Sequence, residues 1–366
     1  MKSSIINNSP LVCVRCMTFN HEAYIEDALN GFVIQQTTFP FVVAIINDAS
    51  TDKTKSVINE FVENNCIHNP EIDLRIEEYG TVLDVTVKDN PHCIFHIVHL
   101  NENHYGKKSK LPYFSKYENA AKYVAMCEGD DYWTDPLKLQ KQVDFMEANP
   151  EYGLCYTDFN FCDEFGNITE ESHFKSSQCK PILTFEEHLF SQGYIAPMSW
   201  LYRKDVYKSI TNDMLQGTSD GTYVLALEFF AKSKVAYLSD TTATYRVHQG
   251  SASRPTSLHN FFKYRKSVYD TEKEYVRRYI QNEWILTFII RQEIYELYPL
   301  AYKLGLQDYI EWCHNVSLMN PLIQLYYPHE MIRLEKEIVS ARSSKAYRLG
   351  KFILAPFKKI KQLFKL

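Results

Sequence analysis

Three carboxylates fall within four residues in the run Cys127-Glu128-Gly129-Asp130-Asp131-Tyr132-Trp133, directly after an apolar stretch at residues 123–127. Like charges this close raise one another's pKa, so something must compensate them. Ligands that are all oxygen suit a hard cation such as Mg²⁺ or Mn²⁺, which binds through one or two carboxylates and the phosphates of a substrate. Glu128, Asp130 and Asp131 are therefore candidate metal ligands. The same residue types also fit an acidic surface turn that caps the helix after it, and composition alone does not separate the two readings.

Two further stretches carry polar groups at the ends of apolar runs. Ile45-Ile46-Asn47-Asp48-Ala49-Ser50-Thr51-Asp52 places Asp48 where a carboxylate can accept hydrogen bonds from a base or a ribose, although a plain N-capping turn reads the same way. Thr18-Phe19-Asn20-His21-Glu22 follows the first apolar run, and its polar groups, among them Thr18, Asn20 and Glu22, can line the same crevice.

The elements that must position these turns can be read from hydrophobic period. Residues 11–17 and 41–46 read as buried strands, and residues 22–36 between them carry apolar side chains at helical spacing. Ser50 or Thr51 can cap a helix to about residue 64. Residues 70–100 read as irregular, with one strand at 93–98. A short helix at 115–122, a strand at 123–127, a helix opened by Asp135-Pro136 and a strand at 152–156 complete the series. Such alternation predicts an α/β fold with a mostly parallel sheet covered by helices, and ligands of such sheets bind at the carboxyl ends of strands. The chemistry is thus expected after residues 17, 47 and 127. Residues 184–253 are mixed in pattern, and from residue 258 two or three packed helices are expected to about residue 339.

Taken together, these stretches make residues 12–156 resemble family-2 glycosyltransferases of the GT-A fold. Thr18-Phe19-Asn20 matches the family's T-Y-N-type turn. Asn47 to Asp52 matches its D-D-x-S-T-D segment, and Tyr123-Val124-Ala125-Met126 matches the strand before its metal motif. The run Glu128 to Leu139 is similar to a bacterial subgroup that decorates capsules, lipopolysaccharide or exopolysaccharide. The likeness covers about two-fifths of the chain closely and then isolated points as far as residue 253. Two positions depart from the pattern. Glu128 stands where many relatives carry Asp, and Asn47 replaces the first acid of the nucleotide motif.

The resemblance implies a GT-A Rossmann-like domain over residues 1–255, a helical region over 256–340 and a basic tail over 341–366. It implies that Asp48 contacts the nucleobase and that Asp130 coordinates the metal, with Glu128 and Asp131 as its supporting shell. An inverting transfer needs a general base for the acceptor hydroxyl. The family places it where this chain has Gly217-Thr218-Ser219-Asp220-Gly221, so Asp220 is the expected base, with Asp213 in reserve; an N-capping aspartate is the alternative. Tyr245-Arg246-Val247-His248-Gln249-Gly250-Ser251-Ala252-Ser253 resembles the family's Y-R-x-H-x-x-S segment, which implies that Arg246 and His248 face the donor phosphates. Met198 and Trp200 lie where relatives meet their acceptors, though core packing also accounts for Trp200.

Bulk properties bound these readings. The 366 residues are 45% hydrophobic and 23% charged, as in an ordinary globular protein. Aromatic residues are abundant, with 26 Tyr and 22 Phe. A net charge of −5 argues against a nucleic-acid partner, yet eight of the 40 basic residues follow Glu337, after which no acidic residue occurs. In that tail Ile353, Phe357, Ile360 and Phe364 share one helical face opposite Lys358, Lys359, Lys361 and Lys365, a pattern suited to an anionic membrane interface. A final helix docked on the body or a disordered basic tail are the other readings.

The nine cysteines are scattered. Cys13 and Cys16 are three apart in a strand and so point to opposite faces, which excludes a shared metal. The first ten residues lack a signal-peptide core, no apolar run spans a bilayer, and a reduced cytoplasmic setting at the inner membrane face is expected. The sequence thus predicts an inverting transfer from a nucleotide-diphosphate sugar, UDP favoured, to a saccharide or lipid-linked acceptor with Mn²⁺ or Mg²⁺. The alternative is a non-catalytic nucleotide- or sugar-binding module of the same fold. A sugar nucleotidyltransferase would need a glycine-rich loop, and residues 12–20 contain no glycine.

Overall fold

A computed structural model of the chain describes residues 9–176, 179–191, 195–210, 220–248, 257–319 and 333. The chain divides into two compact units, Met1–Gln216 with Gly221–Ser251, and Gly217–Asp220 with Ala252–Leu366.

The first unit is built on one twelve-stranded sheet. Its elements in order are β1 (Val12–Thr18), α1 (Ile25–Val33), β2 (Phe41–Asn47), α2 (Thr54–Asn65), β3 (Cys66–Ile67), α3 (Pro70–Asp73), β4 (Leu74–Glu77), β5 (Gly80–Val87) and β6 (Asn90–Leu100). Next come α4 (Leu111–Ala120), β7 (Tyr123–Met126), β8 (Tyr132–Trp133), α5 (Lys138–Ala148), β9 (Tyr152–Cys162) and β10 (Ile168–Glu170). The unit closes with α6 (His173–Ser176), α7 (Phe185–Ser191), β11 (Trp200–Arg203), α8 (Lys204–Lys208), α9 (Gly221–Lys232) and β12 (Lys234–Arg246).

Strand order is β3-β5-β6-β2-β1-β7-β11-β9-β12-β8. The centre, β6-β2-β1-β7, is parallel, and β11 enters antiparallel between β7 and β9. Period two decides which layer each side chain joins. Val12, Val14, Cys16, Phe41, Val43 and Ile45 enter one core, whereas Cys13, Val42, Ala44 and Ile46 enter the other, against Phe114 and Tyr117 of α4. Cys13 and Cys16 therefore sit on opposite faces of β1, as their spacing requires. All these strand residues are fully buried, each large aliphatic or aromatic one contributing about 1.5–3 kcal/mol relative to exposure.

Residues 70–100 correct the sequence reading, since they form β4, β5 and β6 rather than one strand in irregular chain. The pattern was hidden by polar residues inside β5. Asp84 is buried there only because Arg75, His96 and Lys116 meet its carboxylate at 2.8, 2.6 and 3.2 Å. The four residues of β4 are all exposed and carry no burial pattern. Likewise β9 continues six residues past the expected end at 156, because β12 pairs parallel along its length to Cys162.

Within the second unit, α10 (Leu258–Tyr275) leads through a π turn at Val276–Ile280 into α11 (Glu283–Leu304) and α12 (Gln307–Met319). Asn282 caps α11 through Trp284 and Ile285, and Gly305 ends it in a left-handed conformation. The buried Lys273 Nζ lies 2.5 Å from Glu293 of the facing helix. Among the described residues no helix is long and apolar enough to cross a membrane. The basic tail at 341–366 lies outside the described residues.

Candidate functional site

The parallel register places the ends of β1, β2 and β7 side by side, with Thr18 opposite Asn47 and Arg15 opposite Met126. The three polar turns read from the sequence therefore emerge at one edge. The turn after β7 is drawn onto β1 by the Gly129 N–H, which donates to the Met17 carbonyl at 2.9 Å. A glycine is needed there because a Cβ would lie 2.7 Å from Thr18 Oγ1 and 3.0 Å from His21 Nδ1.

Two of the three predicted carboxylates have distinct tasks. Asp131 is buried, and its Oδ1 accepts the backbone N–H of Arg246 at 2.9 Å. Burial, then the charge of Asp130, pushes the Asp131 carboxyl up. Asp130 Oδ2 lies 3.0 Å from His248 Nε2 and 3.8 Å from His21 Nε2. Burial alone would raise Asp130, but the His248 hydrogen bond and the nearby His21 hold it below the usual range. Glu128 is pushed up to about 8, by burial first and then by Asp130. Three ionised carboxylates are thus unfavourable here without a cation, the condition anticipated from their spacing.

His21, Asp130 and His248 each offer one ligand atom, all within 4.8 Å of one another. This set replaces Glu128 and Asp131 by two imidazoles, of which His248, in the segment resembling Y-R-x-H-x-x-S, was expected at the phosphates with a neutral histidine there also able to ligate the metal. His21 stood in a stretch read as lining the crevice, yet it was not among the expected binding residues. The available signal was a histidine in the turn after β1, at the same sheet edge as Asp130. Thr18 Oγ1 and His21 Nδ1 are buried without a hydrogen-bond partner, and both face Gly129. Burial, aided by His248 and opposed by Asp130, lowers the His21 pKa.

Arg246 is used inside the protein. Its Nη2 lies 2.6 Å from Asp27 Oδ2, its Nε donates to the Asp130 carbonyl at 3.0 Å, and its guanidinium packs on Tyr24 and Tyr132 at 4.9 and 5.3 Å. With 2% of the side chain exposed, it braces the Glu128–Asp131 turn through the Asp130 carbonyl. Asp48 is similarly engaged: Oδ1 accepts the His104 N–H at 2.7 Å, and Oδ2 meets Lys110 Nζ at 2.9 Å.

Asn20 and Glu22 lace the first turn to the second. Asn20 N–H donates to Ser50 Oγ, and Asn20 Oδ1 accepts from Thr51 N–H. Glu22 N–H donates to Asp52 Oδ2, and Glu22 Oε2 accepts from Lys53 N–H. Asn20 takes a left-handed backbone (φ 55°) to make this turn.

Met198 and Trp200 are fully buried. The Met198 carbonyl accepts the Trp133 indole N–H at 2.8 Å, so this segment supports β8 from within. Asp220 belongs to the second unit, where Tyr264 donates its hydroxyl proton to Oδ2 at 3.0 Å. Asp213 and residues 249–253 lie outside the described residues.

No family model matches the chain. An uncharacterised protein of Mycobacterium tuberculosis is 30% identical over 234 residues, covering 63% of this chain and 57% of that protein. An uncharacterised glycosyltransferase of Methanocaldococcus jannaschii is 26% identical over 210 residues, covering 56% and 60%. The chain thus spans somewhat more than half the length of these relatives. Among solved structures, S. aureus TarS 1-349 in complex with UDP-GlcNAc superposes with a TM-score of 0.53 at 17% identity, covering 86% of this chain and 81% of that one. The expected α/β architecture, a mostly parallel sheet flanked by helices, is the fold that this chain shares with TarS.

Proposed function

We propose that this chain is a metal-dependent, inverting glycosyltransferase that moves a sugar from a nucleotide-diphosphate donor, a UDP-sugar in preference, to a hydroxyl of a saccharide or lipid-linked acceptor in cell-surface polysaccharide biosynthesis. The observation that carries the reading is the Asp130–His248 pair at the carboxyl edge of adjacent parallel strands, where α/β sheets bind nucleotides. The relative named a glycosyltransferase and the fold shared with a protein that binds UDP-GlcNAc support it.

Asp130 and His248 are assigned to hold a divalent ion, which would neutralise charge on the leaving diphosphate. The donor set fits: a carboxylate and an imidazole sit 3.0 Å apart beside acids that cannot all ionise alone. Asp131 and Arg246 keep the Asp130 turn in place, and Glu128 supplies further negative charge. Thr18, Asn20 and Glu22 shape the neighbouring turn. On the family resemblance Asp48 contacts the nucleobase, its carboxylate held by the His104 N–H and Lys110.

On the family resemblance, Asp220 removes the acceptor proton, with its carboxylate oriented by Tyr264. Met198 and Trp200 support the acceptor side from beneath, and the basic tail gives peripheral contact with anionic membrane at its inner face. The three-part division at 255 and 340 goes with this reading.

Isothermal titration against UDP-, GDP- and dTDP-sugars, with and without Mn²⁺, tests the proposal on wild type and Asp130→Ala. Metal-dependent binding of one nucleotide that disappears in the variant is expected. Folded wild-type protein that binds none of them overturns the reading.

A further inference from the structure

We infer that His21 completes a preformed three-donor site with Asp130 and His248, so that the protein takes up a borderline transition-metal ion before any nucleotide arrives. The inference rests on the reading that Asp130 and His248 hold the donor's metal, and adds a ligand, an order of binding and a metal preference.

The first argument is distance. His21 Nε2 stands 3.8 Å from Asp130 Oδ2, too far for a hydrogen bond. Atoms that share one ion at about 2.1 Å lie roughly 3 to 4 Å from each other. The His248 nitrogen, at 3.0 Å from the same oxygen, satisfies the same condition.

The second argument is rigidity. The turn that carries His21 is tied to the β2–α2 loop at three consecutive backbone N–H groups. Asn20 donates to Ser50 Oγ at 2.9 Å, His21 to Thr54 Oγ1 at 2.8 Å and Glu22 to Asp52 Oδ2 at 3.0 Å. Thr54 is fully buried, and its hydroxyl in turn donates to Asp52 Oδ1 at 2.6 Å. Tyr24 packs beside both imidazoles, with ring centroids 6.2 Å from His21 and 5.0 Å from His248. The arrangement is fixed by the protein alone, and no phosphate is needed to assemble it.

The third argument is the unsatisfied polar atom. His21 Nδ1 is buried with no hydrogen-bond partner, while the other ring nitrogen faces a carboxylate beyond bonding range. Neither ring nitrogen is spent on a protein hydrogen bond, and Nε2, the one facing Asp130, is left open to an ion.

The donor chemistry sets the preference. Two imidazoles and one carboxylate with open positions suit Fe²⁺, Co²⁺, Ni²⁺ or Zn²⁺. Mg²⁺ demands oxygen and surrenders water reluctantly. Mn²⁺ falls between, binding more weakly than Co²⁺ or Zn²⁺ in a mixed nitrogen and oxygen site.

The full chain, stripped of metal with a chelator and free of nucleotide, is titrated with Co²⁺, Zn²⁺, Mn²⁺ and Mg²⁺. One Co²⁺ or Zn²⁺ per chain is expected, at least ten-fold tighter than Mg²⁺. His21→Gln and His21→Phe are expected to lose ten-fold or more of that affinity. Pulsed EPR on Mn²⁺-loaded wild type reads the number of coordinated imidazoles without relying on a variant: two are expected, and one overturns the inference. Unchanged nucleotide-free affinity in both His21 variants overturns it as well. Donor binding with metal, but no metal binding without donor, sinks the inference and leaves the glycosyltransferase reading standing. Metal binding without affinity for any nucleotide-sugar does the reverse.

Discussion

Asp130 Oδ2 and His248 Nε2, 118 positions apart in the chain, lie 3.0 Å from one another. The contact exists because β12 pairs with β8, Thr244 opposite Tyr132, which brings the end of β12 beside the turn after β7. Replacing Asp130 with Asn keeps the shape of the turn and removes the negative charge. Metal-dependent donor affinity is expected to fall more than 100-fold, by titration calorimetry, with a change in stability under about 1 kcal/mol. A donor affinity within three-fold of wild type would remove Asp130 from the metal site.

Arg246 separates a structural brace from a phosphate ligand. Its side chain is buried between Tyr24 and Tyr132 and paired with Asp27. Arg246→Met should destabilise the protein by about 1–2 kcal/mol in urea unfolding, because the Asp130 carbonyl loses its donor and the packing on Tyr24 and Tyr132 loses its cation. A residue that merely waited for phosphate would leave unfolding unchanged and weaken only donor binding.

Gly129 allows the Glu128–Asp131 turn to approach the first turn. A methyl group there would overlap Thr18 at 2.7 Å, so Gly129→Ala should cost about 1–3 kcal/mol by overpacking. It should also displace Asp130 and lower metal affinity. Thr18→Ala removes Oγ1, one of the two Thr18 atoms that the new methyl would meet at 2.7 Å, and the double variant should recover part of both losses, a coupling that a double-mutant cycle measures.

Lys138 provides a pH prediction. Its ammonium is fully buried, 2.7 Å from Gln142 Oε1 and over the Trp133 ring at 4.4 Å, and burial lowers its pKa to about 7. Between that value and the ordinary one near 10.5, the unfolded chain holds a proton that the folded chain lacks. Stability therefore rises with pH through this window, by up to about 1.4 kcal/mol per unit, and the gain is absent below pH 7. Lys138→Met removes the term. The difference in unfolding free energy between wild type and variant should change with that slope from pH 7 to 9, and a difference independent of pH would refute the assignment.

Much of the fold was legible because the central strands are short, apolar and separated by amphipathic helices. Residues 41–47 and 123–126 are buried along their whole length and residues 12–18 at every position but Met17, and such runs need no partner to be recognised. The strands missed in residues 74–87 are those whose polar or exposed side chains acquire meaning only from neighbours, as Asp84 does from Arg75, His96 and Lys116.

In the site, the sequence by itself determined the class of each residue and the end of the sheet where the turns gather, since parallel strands put their carboxyl ends together. It also located the acidic cluster and the R-x-H segment. Only the tertiary structure decided which groups are spent on the protein. Asp131, Arg246 and Asp48 read in sequence as candidate ligand-binding side chains, and the tertiary structure gives each of them backbone or ion partners within the protein. His21 looked incidental and stands beside Asp130. The physical reason is that hydrogen bonds and ion pairs depend on separations of a few ångströms between segments distant in the chain. Local pattern carries propensity and period, and it holds no record of those distances.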